Sequence, residues 1–421
     1  MEKNNFRKIA TITLFESAVQ WYCFLSAGSR QSVCCQAGTV FNKVFFSQTG
    51  NGTTALILSY MSFAIGYIAG PFGAIFFGHI GDRKGRKVTM YASLLMMGIS
   101  TSIIGILPPA ASAGVGVVIV LQLMRLAQCF GRGGTWGGGI LMAYENVPEN
   151  KRSFYAAIPQ IGLPIGFGLS SILIAVPTLL LPEDIFFTWG WRIPFLAAII
   201  LTLIVIRQKG EMMETEDYKK AQAKLEAEEA EGKKHKVGFI PMVKGYWKTL
   251  LLGCGTRWVD GTFYNIFIVW ILSYCINWLG MPLIQTYIIT IIACIFKIPF
   301  TLFGGWCAQK LGNTRTFVIG ALASAVLSIP TLKVIELSKG NLAITIIGIV
   351  LGWSIAYNLI WAVISSLWSS YFETEVRYSG ISFVYHVPSF LVAGMVPTIC
   401  TLLINYGNGD TIYVGIYSTA Q

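Results

Sequence analysis

The sequence predicts an all-α membrane protein that crosses the bilayer many times. Of its 421 residues, 54% are hydrophobic and only 12% are charged, whereas ordinary soluble domains carry about 25% charged residues. The mean hydropathy is +0.62. The apolar residues come in runs of about twenty, which is the length that spans a hydrocarbon core of about 30 Å. A chain of this composition has too few polar residues to cover a soluble globule.

Eleven apolar segments are long enough to cross a bilayer. We expect helices near residues 9–36, 55–79, 88–108, 114–144, 154–178, 187–206, 247–279, 283–308, 316–335, 341–370 and 378–404. The final stretch, "TIYVGIYSTAQ", has eleven residues, whereas a spanning helix needs about twenty. The sequence therefore predicts eleven full helices and an incomplete twelfth.

A charged segment divides the helices into two sets. Residues 207–248 contain ten Lys or Arg and eight Asp or Glu, so this segment cannot enter a bilayer and predicts a solvated, partly helical connector. We expect a six-helix bundle over residues 1–206, a linker over 207–246 and a second bundle over 247–421. Transporters built from repeated halves have this organisation.

The gaps between the apolar segments predict the orientation. Basic residues occur at the N-terminus, in the 82–87 and 150–153 turns and in the central linker, whereas the alternate gaps carry only Lys43. Lys and Arg accumulate on the cytoplasmic side of membrane proteins. We expect a multi-pass protein of a bacterial-type inner membrane, with a cytoplasmic N-terminus.

Other classes of function lack their sequence signatures. The net charge is +11. The basic residues lie between the apolar segments and do not form a basic patch with interleaved aromatic residues, so we expect no nucleic-acid partner. The nine cysteines form no CxxC pattern and no metal-ligand spacing with the three histidines. No Walker-type loop, HExxH motif or Ser/His/Asp order is visible. We therefore predict no enzyme activity, no cofactor and no metal site.

The turn after the second apolar segment reads "GHIGDRKGRK" and resembles the signature loop of the major facilitator superfamily, G-x-x-x-D-R-x-G-R-[RK]. The residues that fit this pattern are Gly78, Asp82, Arg83, Gly85, Arg86 and Lys87. The glycines permit a tight reversal, and the charged groups can pair with helix ends or carboxylates. The resemblance implies a cytoplasmic gate that forms in one conformation and breaks in the other. We include Glu145 and Arg152, in "MAYENVPENKRSFYAAIPQIGLPIG", among the gate candidates.

A finer resemblance is to the metabolite:proton symporters of that superfamily, and within them to carriers of shikimate and related organic acids. "WGWRIPFL" at 189–196, "RLAQCFGRGGTWGGG" at 125–139 and "ETEVRYSGISFVYH" at 373–386 are similar to that family. The resemblance implies two helix bundles around a central pathway. It also implies alternating-access transport of a small metabolite, here a monocarboxylic organic acid, together with a proton.

The chain departs from the family pattern where the family carries charges. The usual E-W-Y-D becomes Gln20-Trp21-Tyr22-Cys23, the usual A-R-P becomes Ala69-Gly70-Pro71, and Thr135 replaces a glutamate, while Arg132 adds a cation nearby. Because charges inside a bilayer are costly, they are normally retained for function. Proton symport with a relocated carrier, uncoupled facilitated diffusion and a non-transporting receptor or degenerate relative all remain open.

Polar residues at membrane depth are the candidates for the substrate pathway. Arg125 and Gln128 share a helix face, and the guanidinium could bind a substrate carboxylate or link to a neighbouring helix such as the one bearing Glu145. Arg257 and Asp260 also share a face, with Tyr264 one turn further. They could cancel each other or open to bind substrate and proton.

The remaining pathway candidates are identified by their individual positions and not by their spacing from another polar residue. Lys297 lies near the middle of its helix, either at a functional site or extending towards a polar cavity. Tyr385 and His386 occupy a position where the family carries a polar pair, and Trp21, Tyr22 and Trp136 look like family pathway residues. Glu16, one turn before Gln20, could replace the lost carboxylate. The candidates for proton coupling are Asp260, Glu16 and His386.

Overall fold

The computed structural model describes residues 3–28, 44–45, 52–208, 214–230 and 239–421, and these residues are almost entirely helical. The helices that we label are α1 (Lys3–Gly28), α2 (Gly52–Lys84), α3 (Arg86–Ile106), α4 (Val115–Glu145), α5 (Gly162–Leu180), α6 (Ile193–Arg207), α7 (Glu216–Ala230), α8 (Phe239–Asn277), α9 (Leu283–Leu311), α10 (Asn313–Leu337), α11 (Leu342–Ser369), α12 (Arg377–Tyr406) and α13 (Ile412–Thr419). Short helical turns lie between them at Ala110–Ala113, Glu149–Lys151, Arg152–Ala157, Pro159–Ile161, Glu183–Thr188 and Gly190–Arg192.

All eleven predicted spans correspond to helices, although residues 29–36 of the first one lie outside the described part of the chain. Within the described residues, eight helices are long and apolar enough to cross a membrane. The predicted start at residue 247 coincides with a kink in α8, where Tyr246 has a non-helical φ of −120°. The last helix, α13, has only 8 residues.

Helices α8 and α11 each contain a π-helical segment. In α8 it covers Asn265–Trp270, and in α11 it covers Val350–Ala356. The two segments pack together, since a methyl group on Gly352 would lie 2.4 Å from the Phe267 ring. π-Helical turns are rare and occur frequently at functional sites.

Glycines bring α4 close to its neighbours in the first group of helices, α1–α6. A Cβ atom at Gly133 would lie 2.3 Å from the backbone nitrogen of Ala74 in α2, and one at Gly131 would lie 2.8 Å from the carbonyl oxygen of Ser93 in α3. Only hydrogen fits between these backbones. Small residues allow close packing of membrane helices, and here they put α4 at the centre of its group.

The second group, α8–α13, packs against the first along two main lines. Helix α2 contacts α12, and α5 contacts α9. At the first line the backbones are close, because a Cβ atom at Gly78 would lie 2.9 Å from the Cα atom of Ser379. A central space remains between these two lines of contact.

The short helix α13 follows a loop that an ion cluster holds to α10. Lys333 donates to Asp410 at 2.7 Å and to Glu336 at 3.0 Å, and Glu336 accepts from the Thr411 backbone and hydroxyl. The hydrogen bond from Lys333 lowers the pKa of the Asp410 carboxyl. The cluster lies at the opposite end of the molecule from what we call the linker face. The linker face comprises the α2–α3 turn at Gly85, the end of α4 at Glu145, and α7.

Candidate functional site

A small cavity lies between the two groups of helices. Its volume is about 10 Å³, which is roughly the room that one water molecule needs. Both groups contribute to its lining, which consists of Trp21, Tyr67, Arg132, Arg257, Tyr264, Asn265, Trp361, Tyr385, Ser389 and Val392. A metabolite larger than water therefore needs the two groups to move apart.

Arg132 of α4 supplies a positive charge from the first group. Its guanidinium lies 3.7 Å from the centre of the Phe24 ring and donates to the Tyr385 hydroxyl at 3.2 Å. It makes no ion pair within the part of the chain that the structure describes. Because a buried cation is costly without a counter-ion, Arg132 is the group here that would gain most from an anionic ligand.

Arg257 of α8 supplies the second guanidinium. It forms an ion pair with Asp260, donates through Nε to the Ser389 hydroxyl at 3.1 Å, and lies 4.1 Å from the centre of the Tyr385 ring. The Tyr357 hydroxyl donates to Asp260 at 2.6 Å. Of the two arrangements left open by the sequence, the structure therefore shows Arg257 and Asp260 paired.

Lys297 lies behind this pair and does not line the cavity. Its ammonium group is fully buried, 4.5 Å from the centre of the Tyr357 ring and 4.6 Å from that of Trp353, and it donates to the Trp353 carbonyl at 3.4 Å. Both rings face it with their π-systems, which attract cations. Tyr357 thus contacts Asp260 through its hydroxyl and Lys297 through its ring.

Five of the ten residues that line the cavity are aromatic. Trp21 of the first group contacts Tyr264 and Trp361 of the second, with ring centroids 6.3 Å and 5.7 Å apart. Trp136 stacks on Tyr385 at 4.1 Å. These contacts cross between the two groups, so any motion that separates the groups must part these rings.

Of the ten predicted pathway residues, Trp21, Arg257, Tyr264 and Tyr385 line the cavity and the other six do not. Three of these six, Tyr22, Arg125 and Gln128, contact other residues of the first group of helices. The Gln128 amide donates to the Cys23 carbonyl of α1 and the Thr101 hydroxyl of α3, and Arg125 contacts Gln128 at 3.5 Å. The Tyr22 hydroxyl donates to the Pro194 carbonyl of α6. These side chains tie helices of the first group together. Glu145 lies on the same helix as Arg125, so the suggested link between neighbouring helices through Glu145 does not exist.

None of the three candidates for proton coupling lines the cavity, and all three are buried. Asp260 pairs with Arg257 as described above. His386 is 2% exposed, and its Nε2 atom has no hydrogen-bond partner among the described residues. Glu16 is 0% exposed, and within the same residues neither of its carboxylate oxygens has a hydrogen-bond partner.

The gate candidates meet at the linker face. Asp82 of α2 accepts from the backbone nitrogens of Tyr378 and Ser379 at 3.1 Å and 3.0 Å, and from the Ser379 hydroxyl at 2.6 Å. These are the first residues of α12, whose positive end favours a carboxylate. Asp82 therefore joins the two groups of helices.

Arg86 and Glu145 continue this network. Arg86 pairs with Asp82 at 3.2 Å and Glu145 at 3.5 Å, and it donates to the Thr374 carbonyl at 2.6 Å. Glu145 also accepts from Arg377 of α12 at 2.8 Å. Alternating charges from both groups thus compensate each other at this buried contact.

The linker also belongs to the network. Glu214 accepts from the backbone nitrogens of Arg86 and Lys87 at 3.0 Å and 3.2 Å, where α3 begins, and Thr215 donates to Glu145 at 2.7 Å. Asp217, in α7, pairs with Arg152 at 2.6 Å. The expectation of a solvated connector is therefore wrong for this part of the linker, which binds to the contact that closes the linker face.

The other gate candidates contribute through their backbone. Gly85 has a φ of 105°, which only glycine adopts readily. The Arg83 side chain is exposed, and its carbonyl accepts from the Tyr218 hydroxyl at 2.8 Å. Gly78 lies at the close approach of α2 to α12.

Sequence reasoning missed several cavity residues, namely Tyr67, Arg132, Asn265, Trp361, Ser389 and Val392. For Arg132 a signal existed, because it is a cation within a glycine-rich span. The others are uncharged residues in apolar segments, and nothing in their spacing distinguishes them from residues that pack in the core.

The sequence and the fold match proteins of one family. The family described as the Major Facilitator Superfamily matches residues 24–397. The inner membrane metabolite transport protein YhjE of Escherichia coli (strain K12) is 32% identical over 99% of this chain and 92% of its own length. The shikimate transporter of the same strain is 30% identical over 98% of this chain and 91% of its own length. A solved structure of the proton:xylose symporter XylE bound to 6-bromo-6-deoxy-D-glucose has a TM-score of 0.78, with 100% of this chain and 95% of that one covered at 17% identity.

Proposed function

The chain belongs to the major facilitator superfamily, and we propose that it is a secondary transporter of a small organic acid. It is a multi-pass membrane protein, and we infer that it lies in a bacterial inner membrane with its linker face and N-terminus in the cytoplasm. The basic gaps in the sequence support this orientation. The names of the relatives, a metabolite transport protein and a shikimate transporter, support the substrate class.

The observation that carries this proposal is the pair of guanidinium groups in the cavity. Arg132 comes from the first group of helices and Arg257 from the second, and both lie against the ring of Tyr385. A guanidinium matches a carboxylate with two parallel hydrogen bonds. A carboxylate between them would compensate the charge of Arg132 and bridge the two groups, while the aromatic wall would contact the apolar part of the metabolite.

Alternating access would follow from the closed linker face. We propose that residues 1–206 and 247–421 move as two bundles about the cavity. The network around Asp82, Arg86 and Glu145 would hold the cytoplasmic side shut and would break when that side opens. The cavity of about 10 Å³ would have to expand to admit a metabolite.

Proton symport is part of the proposal, with Asp260, Glu16 and His386 as the groups that could carry the proton. Asp260 forms an ion pair with Arg257, which lines the cavity. A carboxylate from the substrate would compete with Asp260 for Arg257.

The test is uptake into proteoliposomes of labelled organic acids, shikimate included, with and without an inward proton gradient. Gradient-driven accumulation is the expected result. Arg132→Gln should abolish uptake, whereas Arg315→Gln, which removes an exposed arginine, should leave it unchanged. Equilibration without accumulation would refute symport and indicate a facilitator. If no acid enters while the protein remains folded, the transport proposal is wrong.

A further inference from the structure

Glu16 differs from the other buried carboxylates of the described residues in having no counter-charge. Asp82 and Glu145 pair with arginines at the linker face, and Asp260 pairs with Arg257. Within the part of the chain that the structure describes, both oxygens of Glu16 lack a hydrogen-bond partner although the side chain is fully buried. A fold does not normally retain such a group without a use for it, because an isolated buried charge is among the most costly arrangements in a protein.

The position of Glu16 is between the cavity and the network of the linker face. Trp21, which lines the cavity, follows five residues later in α1, which is about 7.5 Å along the helix axis. Gly139 of α4 lies against Glu16, since a Cβ atom there would be 2.2 Å from Oε2. Glu145 follows six residues after Gly139, about 9 Å along α4.

A second unpartnered group leads from the cavity towards Glu16. Gln20 lies one turn further along the same face of α1 and is 1% exposed. Neither its side-chain oxygen nor its nitrogen has a hydrogen-bond partner among the described residues. Trp21, Gln20 and Glu16 thus form a descending series on α1. The Gln20 amide and the Glu16 carboxyl group can both hydrogen-bond to water, and the Glu16 carboxylate can accept a proton.

The surroundings of Glu16 favour a proton over a larger ion. The backbone of α4 at Gly139 is too close for a hydrated cation, and among the described residues no cluster of three or more His, Cys, Asp or Glu could hold a metal ion. Tyr378 of α12 is a titratable side chain on the same side of α4, since a Cβ atom at Gly138, next to Gly139, would lie 2.8 Å from its hydroxyl oxygen, and this hydroxyl donates to the Gly134 carbonyl. The Pro159–Ile161 turn, which also contacts α1, contains no charged residue.

We propose that Glu16 carries the coupling proton. With the linker face closed, the carboxyl group is protonated and neutral, which makes its burial tolerable. When α12 moves away with Tyr378, water reaches Glu16 from the cytoplasmic side and the carboxyl releases one proton, leaving a carboxylate. The carboxylate takes up one proton again through the cavity and Gln20 when the opposite side opens. This inference rests on the proposed transport function and gives it a proton site one turn away from the family's usual position.

The experiment compares Glu16→Gln, Glu16→Asp and the control Glu183→Gln, whose carboxylate is exposed near the opposite end, in proteoliposomes. The probe is the labelled acid that wild-type protein exchanges, with shikimate tried first. Glu16→Gln resembles the protonated form, so we expect it to exchange labelled for unlabelled acid at near wild-type rate while the concentration ratio under a proton gradient falls to unity. Glu16→Asp should still accumulate the acid. Accumulation by Glu16→Gln equal to wild type would overturn the inference.

A second measurement needs no substrate. Infrared difference spectra over a pH titration should show the carbonyl band of a protonated carboxyl group in wild type and in Glu183→Gln, and this band should be missing in Glu16→Gln. If the band disappears in Asp260→Asn instead, Glu16 is not the proton site. Failure of every acid to exchange in wild type would refute the transport proposal, whereas absence of the Glu16 band would refute this inference.

Discussion

The turn between α2 and α3 and the turn between α9 and α10 occupy equivalent places in the two groups of helices. Each has a glycine of positive φ between its helices, Gly85 at 105° and Gly312 at 90°. Each also contacts the start of a helical segment of the opposite group. In the first turn Asp82 accepts from the backbone nitrogens of Tyr378 and Ser379.

The second turn makes the corresponding contact without charge. Gln309 stands where the first turn has Asp82, and it accepts from the Phe154 backbone nitrogen at 3.3 Å. Asn313 stands where the first turn has Arg86, and it accepts from the hydroxyls of Ser153 and Ser366 at 2.8 Å and 3.0 Å. The two turns thus close the linker face with the same backbone geometry, the first with charged side chains and the second with amide side chains. The charged copy should dominate the balance between closed and open states.

Glu145→Gln should open the linker face more than the other substitutions below. It leaves Arg86 and Arg377 buried without their shared carboxylate, and breaking a buried pair costs about 3–5 kcal/mol. The closed state should lose most of its population, since about 1.4 kcal/mol changes a ratio of states tenfold. The measurement is labelling of Ser382→Cys, which is buried between α4 and α12, in a background without native cysteines. Glu149→Gln, at a carboxylate with 90% side-chain exposure, is the matched control, and equal labelling of the two variants would contradict the prediction.

Asp82→Asn should have the next largest effect. Asparagine keeps one acceptor oxygen for the start of α12 but loses the charge, and hydrogen bonds to charged groups contribute about 1.5–3 kcal/mol. We expect faster labelling of the same cysteine than in wild type and slower labelling than in Glu145→Gln. A labelling rate equal to that of wild type would show that the carboxylate charge does not hold the face closed.

Asn313→Ala tests the uncharged turn. It removes an acceptor that two hydroxyl groups share, and neutral hydrogen bonds contribute about 0.5–1.5 kcal/mol each. The labelling rate should rise by less than in Asp82→Asn. The two turns would prove equally important if both variants opened the face to the same extent.

Lys224→Ala should have the smallest effect. Its ion pair with Glu375 spans 3.5 Å, and the lysine side chain is 64% exposed. Exposed pairs of this kind often contribute nothing measurable. We expect wild-type labelling and wild-type thermal stability in detergent. A clear change in either would mean that the linker closes the face through the surface charges of α7 as well as through Glu214 and Thr215.

The helices and the charged turn could be predicted from the sequence because each depends on local information. Runs of apolar residues locate the spans, and the pattern from Gly78 to Lys87 locates the turn. The part played by Glu214 was not predictable, since its segment is nearly balanced in charge and looks like any solvated linker. Only the structure shows this carboxylate at the start of α3.

The site was harder to predict because spacing along a helix shows which residues share a face and not at which turn that face meets the pathway. Arg125 and Gln128 belong to turns of α4 that pack against other helices of the first group, whereas Arg132, two turns later on the same face, reaches the cavity. Arg257 and Tyr264 were found from their spacing and do line it. The π-helical segment in α8 begins directly after Tyr264, so the regular spacing holds up to that residue and then ends.

That π-helical segment changes the direction in which the following side chains of α8 point around the helix axis. A π-turn holds one residue more than an α-turn, and each residue of an α-helix advances by about 100°. A helical wheel drawn from the sequence alone therefore places Ile271–Asn277 about 100° from their true direction, and α11 carries the same displacement after Ala356. In both helices the α-helical register is offset by one position, as a one-residue insertion would leave it.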